Sequence, residues 1–195
     1  MVDIWWSSGR LLKLGGNRGI RDKYIEVISI GRVSQEVVLH VLKIIEEKFK
    51  TIAKSGQALP LPAKAFDPAR NQYNASIILN EIRKAKSSGA IKALGIINKD
   101  IFSMGLNYVF GQAILGGCCG VISLTRLHIG VAGYAGRKLF FERLDKEAVH
   151  ELGHTFGLRH CPDPKCVMFF SSNIADTDRK STDFCDKCGR PAVSS

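Results

Sequence analysis

One segment constrains this chain more than any other: His150 to His160, which reads HELGHTFGLRH. Residues four apart on an α-helix lie about 40° apart in projection, so His150 and His154 can point two imidazoles at one ion from adjacent turns. Glu151 lies one position further round, where its carboxylate can act as the general base of a hydrolysis without taking a ligand position. Gly157 permits a left-handed residue that ends the helix, so that the chain can bring His160 back to the same ion.

Three neutral histidines leave the fourth position of a tetrahedral zinc ion open, which is typical of catalytic rather than structural zinc. The alternative is a helix whose histidines are packed in the core or solvated, without a metal. Five apolar residues fall on the arc opposite His150 and His154, at about 100° per residue: Phe141, Leu144, Ala148, Leu152 and Phe156. We therefore expect a two-faced helix whose histidines, with Arg143 and Glu147 beside them, point away from the core.

Four cysteines follow the histidine segment: Cys161, Cys166, Cys185 and Cys188. The spacing Cys-x4-Cys-x18-Cys-x2-Cys is typical of a tetrahedral four-sulfur zinc site that is closed to water. Reduced thiols without metal, or two disulfides, are the alternatives. Because Cys161 follows His160 directly, the two metal sites must lie close together, and we expect loss of the structural ion to disturb the catalytic one.

The histidine segment matches the HExxHxxGxxH pattern of the metzincin zinc peptidases, and the cysteines together with Met168 make it resemble the archaemetzincins, a branch of that clan. The resemblance covers residues 150–188, about a fifth of the chain. It implies a zinc metallopeptidase with a catalytic and a structural zinc ion, and with peptide or protein substrates. It also places Met168 in a turn beneath the catalytic zinc, where a thioether would pack rather than bind the ion.

The remaining pattern predicts an α/β (mixed α+β) fold with mostly parallel strand pairing, because strands and helices alternate along the chain. Strands are expected at 2–6, 24–30 and 91–97, helices after the capping residue Ser34 and from 74 to 86, and a turn at 15–19. Two extended runs, 107–115 and 118–124, are joined at Gly116 and Gly117, which predicts an antiparallel hairpin. The metzincin resemblance implies a twisted mixed sheet with one antiparallel edge strand above the cleft, for which 107–115 is the candidate. An ordinary hairpin is the alternative.

A length of 195 residues suits one metallopeptidase domain. We expect it to divide into an upper sheet and helix subdomain at 1–157, which ends with the active-site helix, and a small C-terminal subdomain at 158–195 with the cysteine site. The other two histidines that fall outside the ligand spacing, His40 and His128, are interpreted as incidental.

The formal net charge of +10 favours anionic partners through long-range attraction. Together with the cysteine site it leaves a second interpretation open, a zinc-stabilised basic module that binds nucleic acid or protein and has a non-catalytic histidine site. Against it stand Glu151, which a structural metal site does not need, and the scarcity of aromatic residues interleaved with basic ones. We therefore expect no nucleic-acid partner.

The remaining cysteines, Cys118 and Cys119, are expected to be buried free thiols on opposite faces of a strand. Free thiols suit a reducing compartment. The first residues do not form a signal peptide, and no stretch approaches the ~20 apolar residues needed to cross a membrane. The expected location is the cytoplasm, with no membrane association.

Overall fold

The computed structural model describes residues 23–191, so the strand expected at 2–6 and the turn expected at 15–19 lie outside the described residues. Within 23–191 the chain forms strands and α-helices in alternation, with two short 3₁₀ turns. In chain order the elements are β1 (Tyr24–Ile30), α1 (Gln35–Phe49), β2 (Ile52–Ser55), β3 (Phe66–Asp67), β4 (Gln72–Asn74), α2 (Ala75–Ala85), β5 (Ala90–Ile97), β6 (Ile101–Phe102), β7 (Gly111–Ala113), β8 (Cys119–Ser123), α3 (Gly133–Thr155) and α4 (Ile174–Arg179).

The main sheet has five strands in the order β2-β1-β5-β8-β7. The first four pair in parallel, and β7 pairs with β8 antiparallel at one edge. The mixed sheet with one antiparallel edge strand is therefore confirmed. A second, small sheet has the order β3-β4-β6.

The edge strand is shorter than the predicted 107–115 and begins only at Gly111. Val109 forms an isolated bridge with Ile101 of the small sheet, whereas the carbonyl of Phe110 already accepts the Ser123 N–H of β8. Residues before 111 thus connect the two sheets instead of extending the edge.

Polar caps define the starts of the first two helices; the Ser34 cap was predicted, whereas the Asn74 cap was not. The Ser34 hydroxyl accepts the Val37 N–H at 3.3 Å at the start of α1. The Asn74 side chain accepts the N–H groups of Ser76 and Ile77 at the start of α2. Each cap satisfies backbone donors that have no partner within the helix.

The main sheet separates two apolar layers. On one face α1 and α3 pack against residues such as Val27 and Ile122, and on the other α2 packs against residues such as Ile28 and Val121. Because side chains alternate between the two faces along each strand, every central strand contributes residues to both layers. Among the described residues, no helix is long and apolar enough to cross a bilayer.

Cys118 and Cys119 are free thiols, as expected, with Cys119 buried and Cys118 half-buried, but the expectation that they lie on opposite faces of a strand was wrong. Their Sγ atoms lie 3.1 Å apart, and both side chains pack on the α2 side of the sheet. Neighbouring side chains alternate between the two faces only within a strand. Because β8 begins at Cys119, Cys118 lies before the strand and does not follow this alternation. Burial raises the pKa of the Cys119 thiol to about 12.

The expectation of a two-faced α3 was also wrong. The face that carries Glu147, His150 and Glu151 is as deeply buried as the apolar face, with each of these side chains at most 5% exposed. The β7–β8 hairpin covers part of this face, and the segment from Cys166 to Lys180 covers another part. Helix α3 is therefore enclosed between the sheet edge and the C-terminal part of the chain.

Gly95 allows α2 to pack closely on the centre of the sheet, since a Cβ there would clash with Cδ1 of Ile82. We expect Gly95→Ala to lower the free energy of unfolding by about 1–3 kcal/mol through overpacking. Adding Ile82→Val removes the clashing methyl group and should recover part of that loss. Urea denaturation of the two single variants and the double variant measures these free energies. If the losses of the two single variants simply added in the double variant, the predicted clash would be contradicted.

Candidate metal centres and active-site cleft

The end of α3 is built so that the chain reverses direction after Thr155. Gly157 has a φ of +91°, and its N–H donates to the His154 carbonyl at 2.9 Å. The Leu158 N–H donates to the Gly153 carbonyl at 3.1 Å, which completes a helix-ending motif that needs a left-handed residue. The reversal directs the following residues, including His160, back towards α3.

The three histidines of the predicted site come together at this reversal. Their ring centroids lie 4.6 Å apart for His150 and His154, 4.9 Å for His154 and His160, and 5.4 Å for His150 and His160. One ligand atom from each of the three lies within 4.8 Å of the others. Of the three, His150 is buried, His154 is half-buried and His160 is exposed, so the group is open to one side.

Backbone carbonyls orient two of the imidazoles. His150 Nδ1 donates to the Val167 carbonyl and His154 Nδ1 donates to the Leu158 carbonyl, both at 2.7 Å. With the proton on Nδ1, each Nε2 has a free lone pair, and a hydrogen bond between the two Nε2 atoms is ruled out even though they lie 3.1 Å apart. Two nitrogens bound tetrahedrally to zinc at about 2.0–2.1 Å would be about 3.3 Å apart, so the pair fits that ion.

The histidines are also in the protonation state that a metal needs. Burial lowers the pKa of His154 and His160, and together with the Lys180 charge it holds the pKa of His150 well below its usual value. Neutral imidazole is the form that binds zinc.

Glu151 lies beside the histidines without joining them as a ligand. Its side chain is 4% exposed and lines the cleft, and Oε2 accepts no hydrogen bond from the described residues. Burial raises the pKa of Glu151 well above its usual value, and the nearby Glu147 carboxylate raises it further. A buried, unpartnered carboxylate next to a metal group is suited to exchange a proton with a reactant.

The site opens into a cleft of about 630 Å³. Residues of the segment before β7 and of β7 itself form one wall, α3 forms the floor, and Phe170 to Ser172 form the opposite wall. The Tyr108 hydroxyl spans the two walls, donating to the Ser172 carbonyl at 3.0 Å. Most of the lining is apolar, so a bound chain would lose much of its contact with water.

The four cysteines form a second group next to the histidines. Their Sγ atoms lie within 4.8 Å of one another, and the pairs Cys161–Cys185 and Cys166–Cys188 are each 3.7 Å apart. Sulfurs bound tetrahedrally to zinc at about 2.3 Å would be about 3.8 Å apart, so the spacing fits that ion better than a disulfide. The Cys188 N–H lowers the pKa of Cys185 to about 7, which favours the thiolate that a metal binds.

Met168 lies in the core directly behind the histidine helix. It is fully buried, and its Sδ is 2.5 Å from the point where a Cβ on Gly153 would lie. The sulfur thus packs against the backbone of the residue before His154. The sequence analysis did not single out Gly153, because one glycine within a helix carries no signal of what packs on it.

The sequence analysis also missed Lys180. Its side chain is fully buried and forms an ion pair with Glu147, with 3.0 Å between Nζ and Oε1. The contact is an ion pair rather than a well-directed hydrogen bond, since Nζ makes no hydrogen bond of good geometry to the described residues. The Thr177 hydroxyl donates to the same carboxylate oxygen at 3.1 Å. No motif spacing marks Lys180, which reaches Glu147 only because α4 packs on α3.

The two other histidines are not part of either group. His40 Nε2 lies 2.7 Å from an Asp145 carboxylate oxygen, and His128 stacks on Phe140 with ring centroids 4.1 Å apart. Neither belongs to a cluster that could hold a metal among residues 23–191.

Comparisons with known proteins show the family to which this chain belongs. The model of peptidase family M54 matches residues 21–192. Archaemetzincin from Pyrococcus furiosus is 42% identical over 178 residues, which cover 88% of this chain and 92% of that relative. The crystal structure of archaemetzincin from Methanopyrus kandleri has a TM-score of 0.77 and 36% identity, covering 89% of this chain and 94% of that one. The crystal structure of archaemetzincin from Archaeoglobus fulgidus complexed with malonate has a TM-score of 0.73 and 35% identity, covering 84% of this chain and 97% of that one.

Removing the Lys180 charge should destabilise the fold, because it leaves Glu147 buried without a counter-charge. We expect Lys180→Met to lower the free energy of unfolding by about 3–5 kcal/mol, and Glu147→Gln in the same chain to recover much of that loss. Lys43→Met, at an exposed lysine of α1, is the control and should change it by about 0.5 kcal/mol or less. Guanidinium denaturation measures all three, and equal effects of the two lysine substitutions would contradict the prediction.

Proposed function

The chain belongs to peptidase family M54 and is a zinc metallopeptidase, and we propose that it hydrolyses peptide bonds with a catalytic zinc ion held by His150, His154 and His160. Glu151 is the general base. A second, structural zinc ion is held by Cys161, Cys166, Cys185 and Cys188, so that the chain carries two zinc ions.

One observation carries the proposal: three imidazoles and one unpartnered carboxylate meet at the floor of a cleft. Among the described residues the histidine group has three members and no fourth side-chain ligand, which leaves a coordination position for a reactant. A purely structural metal site has no use for the buried carboxylate of Glu151 or for the open cleft above it.

In the proposed hydrolysis, the histidines, Glu151 and two backbone carbonyls have different roles. Zinc bound by the histidines would supply Lewis acidity at the scissile carbonyl. Glu151, on the cleft side of α3, accepts the proton of the attacking water through its free Oε2 and passes it to the leaving amine. The carbonyls of Val167 and Leu158 keep the imidazoles of His150 and His154 in one tautomer and orientation.

The two metal centres are mechanically linked in this proposal. His160 and Cys161 are bonded neighbours, and the Cys161 N–H donates to the Met168 carbonyl at 2.9 Å. The carbonyl that orients His150 belongs to Val167, next to Cys166 and Met168. The structural zinc therefore fixes the segment that supports the catalytic ligands. We also propose the division into an upper subdomain to residue 157 and a small C-terminal subdomain from 158.

Replacing Glu151 with Gln should abolish proton transfer while leaving the histidines intact. We expect Glu151→Gln to lower kcat at least about 100-fold on a mixed peptide library, with unchanged zinc content. Glu142→Gln, at an exposed glutamate of the same helix, is the matched control and should keep normal turnover. Product mass spectrometry and metal analysis measure the two properties, and full activity of the Glu151 variant would remove this residue from the mechanism.

Loss of the structural zinc should weaken the catalytic one. We expect Cys185→Ser to release the structural ion and to raise the dissociation constant of the remaining zinc, measured by metal analysis with a competing chelator. Cys118→Ser, at a thiol outside the cysteine group, should keep both ions. Loss of one ion with unchanged affinity for the other would show that the centres are independent.

A further inference from the structure

The edge strand β7 passes so close to Glu151 that there is room for a glycine and for no larger residue. A Cβ placed on Gly111 would lie 2.6 Å from Cγ, 2.6 Å from Oε1 and 2.7 Å from Cδ of Glu151. Contacts below 3.0 Å force one partner to move. The obstructed atoms include Cγ and Cδ as well as the terminal Oε1, so the clash involves most of the Glu151 side chain.

The neighbouring positions show that the close approach belongs to this face of the hairpin. Gly120 of β8 pairs with Ala113, and a Cβ on Gly120 would lie 3.3 Å from Cβ of Glu151. Gln112, between Gly111 and Ala113, donates to the Ser76 hydroxyl of α2 on the other face. The residues of this face that lie against Glu151 thus include two glycines, Gly111 and Gly120, with Ala113 beside Gly120.

At this contact the strand is fixed by backbone pairing, whereas the Glu151 carboxylate borders the open cleft. Gly111 is held in register with Ile122 of β8, and the carbonyl of the preceding Phe110 accepts the Ser123 N–H at 2.8 Å. Glu151 is 4% exposed and lies on a helix turn whose neighbours are also buried. A side chain at position 111 would therefore push the carboxylate out of its place, rather than tilt the strand away.

We propose that Gly111 is a positioning residue for the general base: by carrying no side chain, it fixes where the Glu151 carboxylate lies and leaves Oε2 facing the cleft. The proposal rests on the proposed role of Glu151. In this proposal the edge strand β7 both forms one wall of the cleft and fixes the position of the general base on the floor of the cleft.

The first test is the kinetics of Gly111→Ala on a short peptide substrate. Displacement of a general base by about 1 Å costs on the order of 100-fold in rate, so we expect kcat to fall by about that factor. KM should stay within about threefold and zinc content should be unchanged, because the histidines and the outer cleft are not altered. A rise in KM with normal kcat would show that position 111 acts on substrate binding, and would overturn the proposal.

The second test measures the contact itself, without activity. Glu151→Ala removes the three atoms that a Cβ at position 111 would meet. We expect Gly111→Ala to lower the urea midpoint of the otherwise unchanged chain, and to lower it much less when Glu151→Ala is already present. An equal shift in both backgrounds would mean that the cost lies elsewhere in the strand, and would overturn the proposal.

The chain offers a matched control at the far edge of the main sheet. A Cβ on Gly56 would lie 2.7–2.8 Å from Cγ, Cδ and Oε1 of Glu26, another buried glutamate, which is bound to Ser87 and lies outside the cleft. Gly56→Ala should lower the urea midpoint in the same way but leave kcat unchanged.

The outcomes separate this inference from the function on which it rests. Full activity of Glu151→Gln would overturn the role of Glu151 itself. An inactive Glu151→Gln variant together with normal kcat in Gly111→Ala would leave that role in place and overturn the positioning role of Gly111.

Discussion

The polar face of α3 is buried, and burial of ionisable groups is costly unless each group is neutral or has a partner. Most groups on this face satisfy that condition. His150 and His154 are neutral and donate to carbonyls, and Glu147 is paired with Lys180. The exceptions are the free Nε2 lone pairs and Oε2 of Glu151, which all meet at the floor of the cleft. Lys180 Nζ also makes no hydrogen bond of good geometry, but it has the Glu147 charge beside it. Among residues 23–191, the groups of this face that have neither a hydrogen bond nor an ion pair thus lie where a metal and a reactant would bind in the proposed site.

The C-terminal segment gives this enclosed helix its support. Val167 supplies a carbonyl to His150, Met168 packs against Gly153, and Lys180 neutralises Glu147. All three lie between Cys166 and Cys185 of the four-cysteine group. A small segment with few apolar residues of its own can hold this position when a metal is bound near its ends. In the proposed two-zinc site, the four-cysteine group would therefore support the histidine site through the backbone that they share.

Local sequence patterns predicted the elements that depend on local interactions. β1, α1 with its Ser34 cap, α2 and the left-handed Gly157 follow from hydrophobic periodicity and helix-end chemistry. Periodicity failed for α3, because a polar residue is counted as exposed although a sheet edge and a second segment can cover it. Spacing likewise indicated which histidines and cysteines come together, but it held no sign of Lys180, which is fixed by the packing of α4 on α3.

The sequence by itself determined the donor atoms, three imidazoles and four thiols, because ligand chemistry depends on residue type and on spacing along a helix and a turn. It also determined the alternation of strands and helices. Only the tertiary structure decided which backbone carbonyls orient the imidazoles, which cation neutralises Glu147, and that Gly111 lies against Glu151. Those contacts join segments far apart in the chain, and their distances depend on how a sheet edge, a helix and the cysteine-containing C-terminal segment pack together.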